Sequence, residues 1–465
     1  MYEKHLDTLK KELPVGESFD LLERRIKIGG RKATIFYVDG LTDGLKAQYV
    51  LNYLLSIEDD EMRSIANSQQ FIEEKLPFLS SQVTDSYKIA QQRMYSGLSI
   101  MVVESLDKII IIDTRSYPSR SVEEPEKEKS LRGARDGFTE SFMQNIGMIR
   151  RRIRDNNLIL KYFPLGEVSK TDVAVVYMKD KVNKSLLNKV ENLINKVKTE
   201  YITVGDQSVL EKLMKELKAY NGFNPFPKVR YSQRPDIIAA HITEGKIAII
   251  VDNSPTVMLL PVGVFDFLQD VDDYYFPQLT GNYFRLLRTL NFLVILFLTP
   301  IYMLIIQYKE MTPEILEFFV PEKNFAVPIL IQFLLLEIAI DGLKLASLNT
   351  PSSLGMSLSV IGALILGEFS VNSGWFIPQT ILCMAVVALA SFTQPSIELS
   401  YGMKFSRLLM IIGAGTFGIL GFVTGFVIAL LVLSTTKTLS GDSYLYPLIP
   451  FNWQALKKLL FRCEE

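Results

Sequence analysis

Apolar positions are distributed in two different ways along this chain. Up to about residue 280 they alternate or recur at helical spacing, and beyond it they fuse into long uninterrupted runs. In the first part, ATIFYV (33–38) reads as a buried strand. LKAQYVLNYLL (45–55) reads as a helix with apolar residues near i, i+3 and i+4. LSIMVVES (98–105) and KIIIIDTR (108–115) flank a short turn at Leu106 and Asp107 and predict a hairpin. The polar interval SYPSRSVEEPEKEKS (116–130), with two prolines and alternating charge, marks a linker or exposed loop. It separates an N-terminal subdomain, 1–115, from a second one, 131–280.

The second subdomain opens on GFTESFMQNIGMIRRRIRD (137–155), where Phe142, Ile146, Ile149 and Ile153 recur at helical spacing and Thr139 is placed to cap. DVAVVYM (172–178) reads as a strand, 185–198 as an amphipathic helix and 206–220 as another. A short helix over 234–245 ends at Gly245, and KIAIIVD and TVMLLPV then pair around the turn at 253–255. Each half passes from a helix through a glycine, Gly97 or Gly245, into a hairpin. That order suits either a duplicated α/β unit or two uses of a common motif. The front of the chain is thus an α/β (α+β) head of two subdomains.

The apolar runs lie at 286–308, 355–371, 376–394 and 408–433, with a less apolar one at 326–348. A helical span needs roughly 20 apolar residues. The first run is too long and too far along the chain for a signal peptide. These runs predict an α-helical polytopic transmembrane domain over 281–436, followed by a tail, 437–465. Glu337, Asp341 and Lys344 share one face of 326–348 at i, i+4 and i+7, a stripe that seldom meets lipid. That segment is therefore expected as an interfacial or re-entrant helix beside four crossings. Five crossings would carry the tail outside, against the cytoplasmic character of Lys457, Lys458 and Arg462.

Charge sharpens the division. The chain is 48% apolar yet 22% charged, with a formal net charge of -1, and most of the charge precedes residue 282. Such a balance argues against a broad nucleic-acid partner. The opening MYEKHLDTLKKEL has no apolar core, so no secretory signal is visible and a cytoplasmic head is expected. Arg285 and Arg288 at the entry to the first run agree with that side, and Lys404 and Arg407 are expected in another cytoplasmic loop. The 309–323 loop, with Glu310, Glu314, Glu317 and Glu322, suits the outer side.

Candidate chemistry is sparse. Two cysteines (Cys383, Cys463) and two histidines (His5, His241) suggest neither a disulfide framework nor a metal site. No phosphate loop, HExxH or GxSxG is present, so an enzyme is not expected, nor a cofactor. Arg150, Arg151, Arg152 and Arg154 crowd one helix end, where they suit the dipole and nearby acids; contact with phosphate or headgroups is the alternative.

In the membrane region, Gly355, Ser359, Ala363 and Gly367 recur every four residues. Ala414, Gly418, Gly421, Gly425 and Ala429 form a second small-residue stripe. Such stripes let helix backbones meet, within one bundle or between protomers. Glu337, Glu368 and Glu398 are intramembrane acids or lie at span ends. A ring of one of them across subunits would favour cations.

Several stretches also carry a resemblance. LRGARDGFTESFMQNIGMIRRRIRD (131–155), SKTDVAVVYM (169–178), 225–261, DDYY (272–275), LGMSLSVIGALILGE (354–368) and YPLIPFNWQALKKLLFR (446–462) resemble the A-subunit family of GerA-type spore germinant receptors, over nearly the whole chain. The resemblance implies a protein of the spore inner membrane that helps germination begin. It implies an oligomeric assembly viewed as an ion channel, working with other germination membrane proteins. Germinant binding is usually credited to the partner B subunit, so no nutrient pocket is carried over. The chain departs from the pattern by ending soon after Arg462 without a long basic extension.

The expected function is therefore a homo-oligomeric, cation-conducting subunit gated by its head. Ser357, Val360, Ile361 and Leu364 of the third run would line or gate the pore, with Glu337 and Glu368 as charged candidates and a dewetted constriction as the closed state. The rival is a non-conducting scaffold that anchors receptor or dipicolinate-channel components. A secondary transporter is weaker, since no repeated pair of broken helices is visible.

Overall fold

The computed structural model describes residues 2–76, 80–117, 133–197, 224–270, 272–311, 313–321, 326–349, 362, 367–368 and 370–460. They form two compact units. One comprises Met1–Tyr220 and Val229–Pro261, the other Asn221–Lys228 and Val262–Glu465.

In the first unit, Leu21–Ile28 (β1) and Arg31–Val38 (β2) pair antiparallel from Leu21↔Val38 to Ile28↔Arg31. The turn between them uses Gly29 and Gly30, both at positive φ, and a Cβ at Gly29 would meet Met62 Cβ at 2.5 Å. Gly44–Ser56 (α2) follows, capped by the Asp43 carboxylate, which accepts from the backbone N–H groups of Leu45 and Lys46. Asp59–Arg63 (α3), Ser68–Lys75 (α4), Ser81–Thr84 (β3) and Tyr87–Met94 (α5) lead to the hairpin Ser99–Val103 (β4) and Ile109–Ile112 (β5). The sheet order is β1-β2-β4-β5-β3, antiparallel throughout.

Every residue of β4 and β5 is buried, because helices cover both faces. Leu6 and Leu9 of Tyr2–Glu12 (α1) pack on one side with Ala90 and Met94. Val50, Leu54, Met62 and Phe71 pack on the other. Strands covered on both faces read as continuous apolar runs, which is why this hairpin was visible in the sequence.

The second half repeats the plan. Phe142–Arg152 (α6) precedes the hairpin Leu158–Leu165 (β6) and Thr171–Met178 (β7). Lys184–Lys196 (α7), Arg230–Ser232 (β8), Pro235–Thr243 (α8), Ile247–Val251 (β9) and Val257–Leu260 (β10) follow. Its sheet order, β6-β7-β9-β10-β8, matches the first sheet strand for strand. Gly97 and Gly245 occupy the same place before the inner hairpin, with φ of +91° and +98°. The shared order favours the duplicated unit over a chance recurrence. Ser141, not Thr139, sits at the N-cap of α6; Thr139 is held by Asn145, whose side-chain oxygen accepts from the Thr139 N–H at 2.8 Å. The helix expected at 206–220 and most of the 116–130 linker lie outside the described residues.

In the second unit, Asp272–Tyr275 (α9) leads into Gln278–Gln307 (α10), followed by Ile329–Asn349 (α11), Pro378–Phe392 (α12), Ile397–Thr435 (α13) and Trp453–Leu460 (α14). Among the described helices, α10 and α13 are long and apolar enough to cross a membrane. Residues 262–280 belong to this helical unit, ahead of the first long run. Lys404 and Arg407, expected in a loop, lie inside α13, because that helix begins at Ile397 directly after the Gln394–Ser396 turn.

Helix α13 is not straight. Gly418 has φ +62° and ψ -139°, and the chain reverses there into two legs, 397–417 and 419–435. The legs lie back to back. A Cβ at Gly421 would overlap the Gly413 carbonyl oxygen, and one at Gly425 would meet the Leu409 carbonyl at 3.1 Å. The directions of the other helices follow from their contacts. Helix α11 runs antiparallel to the first leg, with Leu330 at Gly415 and Glu337 at Arg407. It runs parallel to α12, with Gln332 bonded to Thr380 and Lys344 over the Phe392 ring. Helix α10 is parallel to the first leg, with Ile295 at Arg407 and Tyr308 at Gly418.

Candidate functional site

A buried seam of charge lies between α11 and the first leg of α13. Glu337 and Asp341 are one turn apart on α11, and Lys404 and Arg407 are three apart on the leg, so both pairs project from a single helix face. The Arg407 Nε donates to Glu337 Oε1 at 2.9 Å, and its Nη2 donates to the same oxygen. Arg407 Nη1 also donates to the Ile295 carbonyl of α10 at 2.9 Å. Lys404 Nζ reaches Glu337 Oε2 at 3.2 Å and pairs with Asp341. Glu337 and Arg407 are each 4% exposed. Lys344 extends the seam, its ammonium 5.2 Å from the centre of the Phe392 ring. The stripe that made 326–348 look interfacial is thus turned inward and neutralised, on a helix whose Phe333 and Leu336 are buried in the core with Tyr302, Cys383 and Ile411.

A polar clamp closes the seam's far end. Gln332, fully buried, accepts from the Thr380 hydroxyl at 2.9 Å and from the Ile377 N–H at 3.1 Å, and donates to the Val327 carbonyl at 2.8 Å. At the start of α10, Asp273 gathers Arg288, with Nη1 at 2.9 Å, and Arg285, with Nε at 3.3 Å. These arginines, read as marks of membrane orientation, are also structural: each is buried against the one carboxylate. Asp273 lies in the DDYY stretch, and Gly281 makes room for it, since a Cβ there would overlap the Asp273 carbonyl.

The small-residue stripes divide. Gly421 and Gly425 pack inside the hairpin of α13, while Gly418 is the turn itself and presents no side of a continuous helix. Its conformation is nearly closed to other residues, and a Cβ would overlap the Tyr308 hydroxyl. Of the third run, Gly355, Ser357, Ser359, Val360, Ile361, Ala363 and Leu364 lie outside the described residues. Gly362 packs against Leu343 of α11, with Leu343 Cδ2 3.0 Å from a built Cβ. Gly367 has open space in that direction, and Glu368 is exposed. Glu398 accepts a hydrogen bond from Ser396 at 2.8 Å at the start of α13.

In the head, each arginine of the crowded helix end is accounted for. Arg150 is fully buried and holds Asp20 through Nε at 2.8 Å and Nη2 at 2.9 Å, under the Tyr95 ring. Ser18 completes this knot, donating to Asp20 at 2.6 Å and accepting from the Leu160 N–H at 3.0 Å. The knot ties the first half of the head to β6. Arg152 grips Asp136 with one nitrogen 2.7 Å from both oxygens, Arg151 lies over the Tyr117 ring, and Arg154 donates to Ser96. Burial pushes the Tyr95 hydroxyl's pKa up and that of His241 down. A cavity of about 440 Å³ beside the knot is lined by Phe19, Phe142 and Tyr162 with Asp172 and Asp252. Both acids already accept hydrogen bonds, from the Tyr162 hydroxyl and the Phe142 N–H.

The family model described as Bacillus/Clostridium GerA spore germination protein matches residues 7–464. The chain belongs to the GerA family. It is 33% identical over 469 residues to stage V sporulation protein AF of Bacillus subtilis, covering 99% of this chain and 92% of that protein. It is 30% identical to spore germination protein KA of the same organism, over 99% of this chain and 84% of that one. Among solved structures, the N-terminal domain of the A subunit of the Bacillus megaterium spore germinant receptor GerK3 matches with a TM-score of 0.41 and 25% identity. That match covers 56% of this chain and 94% of the GerK3 domain.

For this GerA member, sequence reasoning singled out Glu337 but missed its partners. The signal was present: Lys404 and Arg407 sit three apart, as Glu337 and Asp341 sit four apart, which is what two facing helices need. The reversal at Gly418 also had a signal, four glycines between 413 and 421, which the four-residue periodicity disguised as one stripe.

Proposed function

We propose that this GerA-family protein is an oligomeric cation-channel subunit of the spore inner membrane, taking part in germination signalling with other germination membrane proteins. The observation that carries this reading is how charge is distributed in the helical unit. Glu337 is buried and paired with Lys404 and Arg407 within one chain, and Asp341 is paired with Lys404. Glu368, at the end of the third run, is exposed and takes part in none of the ion pairs among the described residues. Such an acid, repeated around an axis, would give a cation-attracting ring.

The hairpin supports a consistent topology. Its legs are about 31 Å and about 25 Å long at 1.5 Å per residue, comparable with a bilayer core of about 30 Å. On the proposed reading α10, α11, α12 and the two legs each cross, and the parallel course of α11 and α12 calls for one return crossing between them. An even number of passes would return the tail to the side of the head, in keeping with Lys457 and Lys458.

The test is cation flux through liposomes containing the purified chain. Conduction predicts potassium or sodium flux, reduced cation preference in Glu368→Gln and a raised resting leak in Val360→Ala or Ile361→Ser. Absence of flux in all of these, with the protein folded and inserted, leaves the scaffold reading.

A further inference from the structure

The tail presents an apolar surface that packing among the described residues does not use. Tyr444 fixes its root: the side chain is fully buried, its hydroxyl donates to the Pro227 carbonyl at 2.7 Å, and its own carbonyl accepts from the Val264 N–H at 3.0 Å. Directly afterwards Tyr446, Leu448, Ile449, Phe451 and Trp453 are 41–66% exposed, five large apolar side chains within eight residues. This segment is ordered by its own bonds. The Leu448 N–H donates to Leu445 at 2.7 Å, the Asn452 N–H to Pro447 at 2.8 Å, and the Asn452 amide to the Tyr446 hydroxyl at 3.2 Å. Phe451 stacks on Trp453 with ring centres 6.5 Å apart.

Helix α14 then starts under an Asn452 cap, with the Ala455 N–H donating to Asn452 Oδ1 at 3.1 Å. It turns Leu456 inward and Lys457 outward. Its level is fixed by Arg285 of α10, whose Nη1 donates to the Leu459 carbonyl at 3.3 Å. There, at the start of the first membrane-crossing helix, Leu279, Tyr283 and Leu286 are also exposed, by 58–84%. From 443 to 463 the sequence contains Lys457, Lys458 and Arg462 and no acid. Tyrosine, tryptophan and phenylalanine beside basic residues, where a span begins, are the composition of the bilayer interface.

We propose that 446–460 is an interfacial anchor that lies in an anionic leaflet on the side where α10 enters, with the Phe451–Trp453 stack about 5–10 Å into the headgroup and acyl boundary. The occupant of this surface is the lipid, with its phosphates facing Lys457. The anchor pins the tail and, through Arg285, the first turns of α10 at one depth. It rests on the membrane-embedded reading and is independent of conduction.

The experiment uses the full chain carrying Trp375→Phe, so that Trp453 is the sole tryptophan. The protein is reconstituted in phosphatidylcholine vesicles with or without phosphatidylglycerol, and flotation with the vesicles establishes insertion separately. Trp453 fluorescence is read with lipids brominated near the headgroup or near the chain end. The anchor predicts blue-shifted emission, quenching by the shallow label well above that by the deep one, and a gain in shallow quenching with phosphatidylglycerol. Lys457→Gln/Lys458→Gln abolishes that gain while the protein still floats. Water-like emission open to iodide, with no bromolipid quenching in floated protein, overturns the anchor. So does shielding of Trp453 that appears only on adding a second germination subunit, which makes the surface a protein-docking site.

Discussion

Removing Glu337 tests the charged seam directly. Glu337→Ala leaves the Arg407 guanidinium 4% exposed, with the Ile295 carbonyl still accepting from it, and strips Lys404 of one of two carboxylates. Breaking a buried ion pair from one side costs about 3–5 kcal/mol, most of it the penalty of the stranded charge. At about 2–4 °C per kcal/mol for a unit of 150–250 residues, that is a fall of roughly 6–20 °C in melting temperature. The chain supplies its own reporter. Cys383 is 3% exposed in the bundle core, and Cys463→Ser makes it the only thiol, so a thiol-reactive dye reads core opening on heating in detergent. Glu337→Leu combined with Arg407→Leu should recover most of the loss, because no charge is then stranded and Lys404 keeps Asp341. A Glu337→Ala melt within about 2 °C of the parent, less than ~1 kcal/mol, refutes the reasoning. So does a double variant that melts no higher than the single one.

Two further predictions concern the hairpin and the head. Gly418→Ala should destabilise the bundle by about 1–3 kcal/mol in the same thiol assay, since the glycine's φ of +62° combined with ψ of -139° is closed to alanine. Adding Tyr308→Phe removes the hydroxyl that the new methyl meets and should restore only part of this; full restoration would locate the cost in the contact, not the backbone. In the head, burial holds His241 below its ordinary 6.5, against the opposing effect of the hydrogen bond that its Nδ1–H donates to Glu244 at 2.9 Å. The unfolded chain therefore takes up a proton first as pH falls through 6.5. Stability is complete above that pH and declines below it until the folded state also protonates, by at most about 1.4 kcal/mol per pH unit. Urea midpoints of the head peptides, read by hydrogen exchange at pH 7.5 and pH 5.5, should converge in His241→Gln. An undiminished pH difference in that variant excludes His241 as its source.

What the sequence disclosed followed the physics of covering. Strands β4, β5, β9 and β10 are buried on both faces and stand out as apolar runs, and α7 shows its buried Leu186, Val190, Leu193 and Ile194 at helical spacing. The outer strands were not visible. Strand β1 carries Glu23, Arg24, Arg25 and Lys27, and β6 carries Lys161 and Pro164, because an edge strand meets water on one side and tolerates a missing donor. In the helical unit the acids were legible but their state was not. Whether Glu337 faces ions, lipid or an arginine depends on residues 67 and 70 positions away, which hydropathy along the chain does not record. The turn at Gly418 is likewise a matter of one backbone dihedral inside an unbroken apolar run.

These same features narrow what remains for contacts between copies. The helical unit neutralises Glu337, folds Gly413 against Gly421 and clamps Gln332 on Thr380 within one chain. At the end of the third run, Gly367 has open space where a side chain would be and Glu368 is exposed. On the proposed reading, a helix end that leaves room for close approach and carries an exposed acid would serve an assembly around an axis. The stabilising chemistry and the conducting chemistry would thus occupy different helices. Variants of the seam should lower the melting temperature without altering ion preference, and variants of Glu368 should do the reverse. A Glu368→Gln protein that loses stability as Glu337→Ala does, with its cation preference intact, would place both acids in one structural role.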